Sequence, residues 1–224
     1  MSTPEEIPPR PPANLYLITP PHLTNEDTFT ATLLEVIATG CVTALQIRLK
    51  EDGSDKIDMA ATRRLAGAIM DKAQAAGTAI FINDSVELAV ELGADGVHLG
   101  RSDMPIKEAR ALLADDMIIG ATCHDSRHLA MQAGEDGADY VAFGAFYPTT
   151  TKDASTTATP DLLDWWQELF ELPCVAIGGI TLENAAPLIA AGADFIAVSA
   201  GVWQYEHGPV AAVKAFDALL KAEA

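Results

Sequence analysis

The chain has 224 residues, 49% of them hydrophobic and 21% charged, a balance suited to one well-cored globular domain rather than a disordered segment or a repeat array. Thirty-two acidic against fourteen basic residues give a formal net charge of −18, which repels nucleic-acid backbones and anionic membrane surfaces and argues against partners of either kind. Three cysteines, Cys41, Cys123 and Cys174, show neither metal-finger spacing nor the even count of a disulfide framework, so a reducing cytoplasm is expected.

Residues 1–13 form a lead-in with five prolines in its first twelve positions, and an extended or disordered segment is expected there. It lacks the basic start and apolar run of a signal peptide. No stretch of the chain reaches the ~20 apolar residues of a membrane span. Residues 14–224 are expected to form the single folded domain.

From residue 15 onward, short β-branched or apolar runs alternate with longer Ala/Leu-rich segments of helical period. The runs at 15–19, 44–50, 79–84, 96–100, 117–123, 140–146, 174–179 and 195–200 read as strands. After the second run, Ile57, Ala60, Ala61, Arg64, Leu65, Ala68 and Ile69 recur at spacings that predict one buried helical face, and Val213, Phe216 and Leu220 do the same in the last helix. An echo of Gly-Ala-Asp before an apolar run, within 91–100, 135–144 and 190–200, marks where a glycine ends a helix and the next strand begins. Eight strand–helix units in about 200 residues point to a single (β/α)8 TIM barrel. An open doubly wound sheet would more usually show five or six strands and an early Gly-rich phosphate loop. Reactive residues are then expected at the C-terminal ends of the strands.

In the second run, alternation sends Gln46, Arg48 and Lys50 to one face and Leu45, Ile47 and Leu49 to the other. A solvated edge strand would read the same way, but a closed barrel has no free edge and its outer face must meet apolar helices. The polar set is therefore expected in the barrel mouth, where an Arg fork and a Lys point charge suit a diphosphate. The third run ends on Asn83 and Asp84, and the fourth is followed by Arg101, Ser102 and Asp103. Each aspartate also stands where a helix N-cap is expected. Together, beside a basic strand, they read as hard oxygen ligands for a Mg²⁺ that keeps most of its waters.

The sixth run leads into YPTTTKD, whose hydroxyls and Lys152 read as phosphate contacts, with a solvated loop as the alternative. The seventh ends in Gly178-Gly179 and the eighth in Val198-Ser199-Ala200, positions where such barrels hold a phosphate on backbone N–H groups. His98 reads as a packed or hydrogen-bonded barrel residue, while His124 and His128 show no zinc spacing. Cys123 has no identifiable partner base. Of Trp165 and Trp166, one ring is expected on the barrel wall and the other near the surface.

The order QIRLK, FIND, DGVHLGRSDMP, TTTK, AIGGI and VSA resembles the thiamine-phosphate synthases over nearly the whole chain from Leu15 onward. No single piece is specific, but the combination is. The resemblance implies a Mg²⁺-dependent transferase that joins hydroxymethylpyrimidine diphosphate to a thiazole phosphate, or its carboxylated tautomer, giving thiamine phosphate and diphosphate. It implies Gln46, Arg48, Lys50 and Asn83 on the pyrimidine diphosphate, Asp84 and Asp103 on Mg²⁺, and Lys152 on the diphosphate. Thr149, Thr151, Gly179, Val198 and Ser199 would hold the thiazole phosphate.

The chain departs from the family's pattern in Gly120-Ala121-Thr122-Cys123-His124, where Thr122 replaces the usual Ser of G-x-S-x-H and brings a methyl that stiffens χ1. The family's first strand also often ends in Asp, whereas Thr19 here leads to Pro20-Pro21. Arg48, Lys50, Thr122 and Lys152 are the expected catalytic groups, stabilising the departing diphosphate without a strong nucleophile. Two rivals are a thiazole tautomerase of the same fold and a noncatalytic phosphate-ligand sensor. Neither has an evident need for both carboxylates and all three basic groups. A homo-oligomer is compatible with the sequence, and an exposed surface patch would be needed to argue one.

Overall fold

Eight short parallel strands close on themselves in chain order: β1 (Asn14–Ile18), β2 (Ala44–Ile47), β3 (Ala79–Asn83), β4 (Gly96–Leu99), β5 (Ile118–His124), β6 (Tyr140–Phe143), β7 (Cys174–Ile177) and β8 (Phe195–Val198), with β1 paired to both β2 and β8. Between them run α1 (Glu26–Ile37), α2 (Met59–Ala75), α3 (Val86–Leu92), α4 (Ile106–Leu112), α5 (Arg127–Glu135), α6 (Pro160–Leu169) and α7 (Ala186–Ala190), and α8 (Ala200–Trp203) and α9 (Pro209–Ala222) follow β8. This is the expected (β/α)8 barrel. The structure, a computed structural model, describes residues 11–149 and 157–223.

Strand parity divides the core into two layers. Leu15, Leu17, Leu45, Ile47, Ile80, Ile82, Val97 and Ile196 face outward into one continuous apolar layer under the helices. The alternate positions, Tyr16, Phe81, Tyr140 and Val175 among them, face into the barrel. Tyr16 stacks on Phe81 at 5.6 Å between centroids, and Phe81 meets Tyr140 edge-on at 5.7 Å. These rings fill the interior. Further along the same inward rows come Gln46, Asn83, His98 and Thr122, so the interior changes from apolar to polar toward the C-terminal ends.

The Gly-Ala-Asp echo does more than end helices. Gly93, Gly137 and Gly192 take positive φ (65°, 100° and 92°), as expected for a helix stop. The aspartate of each triplet then clamps the start of the preceding strand: Asp95 Oδ2 accepts from Ile80 N (2.7 Å), Asp139 Oδ2 from Ile119 N (2.7 Å) and Asp194 Oδ2 from Cys174 N (2.8 Å). One sequence device thus ties β3, β5 and β7 to their successors at the face remote from the strand C-termini.

Two expectations need correction. The predicted runs begin within one residue of the observed strands, but several extend too far. Regular pairing of β2 stops at Ile47, and Lys50 instead bridges Ile57. In α2, Asp58 caps the helix by accepting from Ala61 N, and Ala61, Leu65 and Ile69 are buried as expected. Ala60, Arg64 and Ala68 are exposed, however, and Thr62, Ala66, Met70 and Ala73 complete the buried face. Arg64 turns outward because its guanidinium pairs with Glu26 on α1, Nε to Oε2 at 2.8 Å.

Candidate active site

A cavity of about 760 Å³ opens at the C-terminal ends of the strands. Gln46, Arg48, Lys50, Asn83, Asp84, Asp103, Thr122, Thr149, Gly179 and Ser199 all line it. Thr151 and Lys152 lie outside the described residues. Val198 does not line it: as a β8 residue of outward parity, its side chain is buried in the outer apolar layer.

On the β2–β3 side, Gln46 Nε2 donates to Asn83 Oδ1 at 2.6 Å, and both side chains are buried. Arg48 is braced by its backbone N–H, which donates to Thr19 Oγ1 at 2.9 Å. Burial draws the Arg48 guanidinium below its ordinary pKa, against the opposing pull of the Asp84 and Asp55 carboxylates. An arginine remains charged regardless. Its Nη1 is buried with no hydrogen-bond partner among the described residues. A buried cationic donor without an acceptor, on the wall of a cavity, has the chemistry to engage an anion.

Lys50 is tied down at its ammonium. It is buried, and its Nζ donates to Asp84 Oδ2 and to the Asp55 carbonyl, each at 2.6 Å.

Neither aspartate is a helix cap. Ser85 caps α3, its side chain accepting from Leu88 N at 3.2 Å, while Asp84 sits just before it at φ 65°, a left-handed conformation that Asp tolerates better than most residues. The N-cap position of α4 is Pro105, and Asp103 Oδ2 accepts from Gly100 N at 2.7 Å. Burial raises the Asp103 carboxyl above the usual range, and the nearby Asp84 carboxylate adds to the effect, while the Gly100 N–H and Lys50 oppose it. Two carboxylates crowded in this way favour a cation between them. Among the described residues no group of three or more His, Cys, Asp or Glu could hold a metal. Two carboxylates are the number of protein ligands with which Mg²⁺ is commonly held, waters and substrate phosphates completing its shell.

Thr122 on β5 is not isolated. His98 Nε2 lies 2.8 Å from Thr122 Oγ1, His98 Nδ1 lies 2.9 Å from the Tyr140 hydroxyl, and that hydroxyl lies 2.9 Å from the Tyr16 hydroxyl. Gly120 makes room for this, because a Cβ there would overlap the Tyr140 ring. His98 is thus hydrogen-bonded, as expected.

On the opposite wall, Gly178 and Gly179 take φ 105° and 66°, and a side chain on Gly179 would run into the carbonyl of Pro148. The turn is pinned by a residue that sequence reading passed over: Asn184 Oδ1 accepts from Thr181 N (2.8 Å) and Asn184 Nδ2 donates to Gly179 O (3.0 Å). Ser199 Oγ reaches the Thr19 carbonyl at 3.5 Å.

The remaining residues fall where expected. Burial pushes the Cys123 thiol up to about 12, leaving it no nucleophile at neutral pH. Trp166 is buried on Phe170, with centroids 4.1 Å apart, and Trp165 is half-buried beneath Arg127. Among the described residues, no helix is long and apolar enough to cross a membrane.

Residues 15–202 match the family described as thiamine monophosphate synthase. A thiamine-phosphate synthase of Hyphomonas neptunium is 60% identical over 214 residues, covering 95% of this chain and 96% of the relative, and one of Rhodospirillum centenum is 52% identical over 207 residues, covering 92% and 97%. The solved thiamine phosphate pyrophosphorylase of Pyrococcus furiosus superposes with a TM-score of 0.79 at 30% identity, covering 94% of this chain and 96% of that one.

Proposed function

The chain belongs to the thiamine monophosphate synthase family, and from that premise we propose that the cavity at the strand C-termini takes hydroxymethylpyrimidine diphosphate against β2–β5 and a thiazole phosphate, or its carboxylated tautomer, against β6–β8. The observation that carries this reading is Arg48, a cavity-lining cation whose buried Nη1 has no acceptor among the described residues. A diphosphate oxygen supplies the missing acceptor, and the Arg fork holds it as its charge grows.

Asp84 and Asp103 would hold Mg²⁺, whose contribution when bound is to neutralise charge on the leaving diphosphate. Gln46 and Asn83, locked to each other, orient the pyrimidine diphosphate. As the pyrimidine CH₂–O bond ionises, Arg48, Lys50 and the Thr122 hydroxyl stabilise the departing oxygens, and Lys152 is the further cation expected to join them. The thiazole nitrogen then attacks the cationic methylene, its phosphate held by Thr149, Thr151, Ser199, the Gly179 turn and the backbone of Val198. Positioning and charge stabilisation suffice, so no protein nucleophile is required. Cys41, Cys123 and Cys174 are free thiols, in keeping with work in a reducing cytoplasm.

Inorganic diphosphate with Mg²⁺, followed by calorimetry, tests the anion site. Wild-type protein is expected to bind it, and Arg48→Met to lose roughly a hundredfold or more in affinity, the scale of a charge-assisted contact. Equal affinity in the two proteins would rule out Arg48 as the diphosphate anchor.

A further inference from the structure

The chain of hydroxyls and imidazole beneath Thr122 has a direction. Tyr16 is buried, and the only hydrogen-bond partner of its hydroxyl among the described residues is the Tyr140 hydroxyl. If Tyr140 donated to Tyr16, the Tyr16 proton would be a buried donor with no acceptor, carrying its full desolvation cost. The satisfied arrangement runs the other way. Tyr16 donates to Tyr140, Tyr140 donates to His98 Nδ1, and His98 therefore carries its proton on Nε2 and donates to Thr122 Oγ1. Burial pushes both phenols above their ordinary pKa, so both keep the protons that this order needs.

Once Thr122 Oγ1 accepts from His98, its own proton is turned away from the imidazole and is left for the cavity that Thr122 lines. We infer that Tyr140 is a positioning residue which, through the tautomer it imposes on His98, makes Thr122 a hydrogen-bond donor to an acceptor on the bound substrate. The opposite tautomer would take the Thr122 proton into the barrel wall and present only lone pairs to an anionic substrate. Gly120 belongs to the same device, since the Tyr140 ring occupies the space of its missing side chain. The inference rests on the proposed seating of the pyrimidine diphosphate beside Thr122.

Nitrogen-15 NMR of the imidazoles tests the tautomer without any substrate. Wild-type His98 is expected as the Nε2–H form. Tyr140→Phe removes the donor to Nδ1 and is expected to move His98 toward the Nδ1–H form, whereas Tyr16→Phe leaves Tyr140 its own proton and is expected to keep Nε2–H. In the coupling reaction, Tyr140→Phe is expected to lower kcat about tenfold, one hydrogen bond's worth, with the KM of the thiazole phosphate unmoved. In a Thr122→Ala background the same substitution is expected to cost nothing further, because the hydroxyl it orients is gone.

An Nδ1–H wild-type His98, or losses from Tyr140→Phe and Thr122→Ala that multiply, would overturn the proposal. Should Tyr140→Phe not fold, the wild-type tautomer decides by itself. Wild-type protein with the Nε2–H form but no coupling would overturn the proposed function and leave the tautomer standing.

Discussion

Lys50 Nζ lies 2.6 Å from Asp84 Oδ2, so a residue read as a diphosphate contact is held on a carboxylate read as a Mg²⁺ ligand. The Lys50 side chain is 6% exposed and that of Asp84 25%, which shields the pair from solvent more than a surface ion pair. The ammonium has three donors, and Asp84 and the Asp55 carbonyl engage two. In the proposed function Lys50 would couple the cation side of the site to its anion side. Removing it leaves Asp84 and Asp103 with less positive charge nearby.

Lys50→Met is therefore expected to move two quantities in opposite directions. Coupling slows by roughly a hundredfold, the scale of one lost oxyanion contact, while divalent-cation affinity of the substrate-free protein rises. Rate measurements paired with a Mn²⁺ titration followed by electron paramagnetic resonance check both. Unchanged or weaker cation binding would mean that Lys50 does not oppose the metal site.

The strand clamps at the remote face should contribute to stability and not to turnover, as that face of such barrels generally does. Asp194→Ala loses hydrogen bonds to Cys174 N and Gln167 Nε2. A loss of about 1–3 kcal/mol in urea unfolding is expected, with kcat close to wild type below the unfolding transition. A large kcat defect in folded protein would place the clamp in the catalytic machinery.

Thiol reactivity should follow burial. Thiolate is the reactive form, so a raised pKa keeps a thiol inert until pH nears that value. Cys123 and Cys174 are both pushed up to about 12, while Cys41 is half-buried. Iodoacetamide at mildly alkaline pH is expected to label Cys41 alone in folded protein and all three after unfolding, as read by mass spectrometry. Cys123 labelling in folded protein at Cys41's rate would contradict its burial.

At position 122 the hydroxyl should matter and the methyl should not. Thr122→Val, close in shape, is expected to lose roughly a hundredfold in coupling, by analogy with a removed transition-state donor. Thr122→Ser is expected within a few-fold of wild type, with χ1 freer. Steady-state kinetics of the two variants check this, and equal losses in both would assign the effect to shape.

Much of this was legible in residue order because barrel chemistry obeys strand parity. Gln46, Arg48 and Lys50 share a row, and rows that begin with Tyr16 or Phe81 must end in the mouth. Strand starts were sharp because Gly and Asp punctuate them. Strand ends were not, since apolar residues and glycines continue from strand into loop. Asp84 and Asp103 could not be separated from helix caps by spacing alone; the distinction rests on Ser85 and Pro105 taking the cap positions. The link between Tyr16 and Tyr140 spans 124 positions of sequence, and no local pattern announces it. The α2 face misled because alanine fits either side of a helix, and only the pairing of Arg64 with Glu26 shows which way it turns.

The most direct measurement is a coupling assay on the purified chain with hydroxymethylpyrimidine diphosphate, thiazole phosphate or its carboxylated tautomer, and Mg²⁺, following diphosphate and thiamine phosphate together. Equal release of the two products is expected, abolished by chelation and greatly slowed in Asp84→Ala and Lys152→Ala. Tautomerisation without coupling, or tight binding of both substrates with no turnover by folded, Mg²⁺-loaded protein, would contradict it.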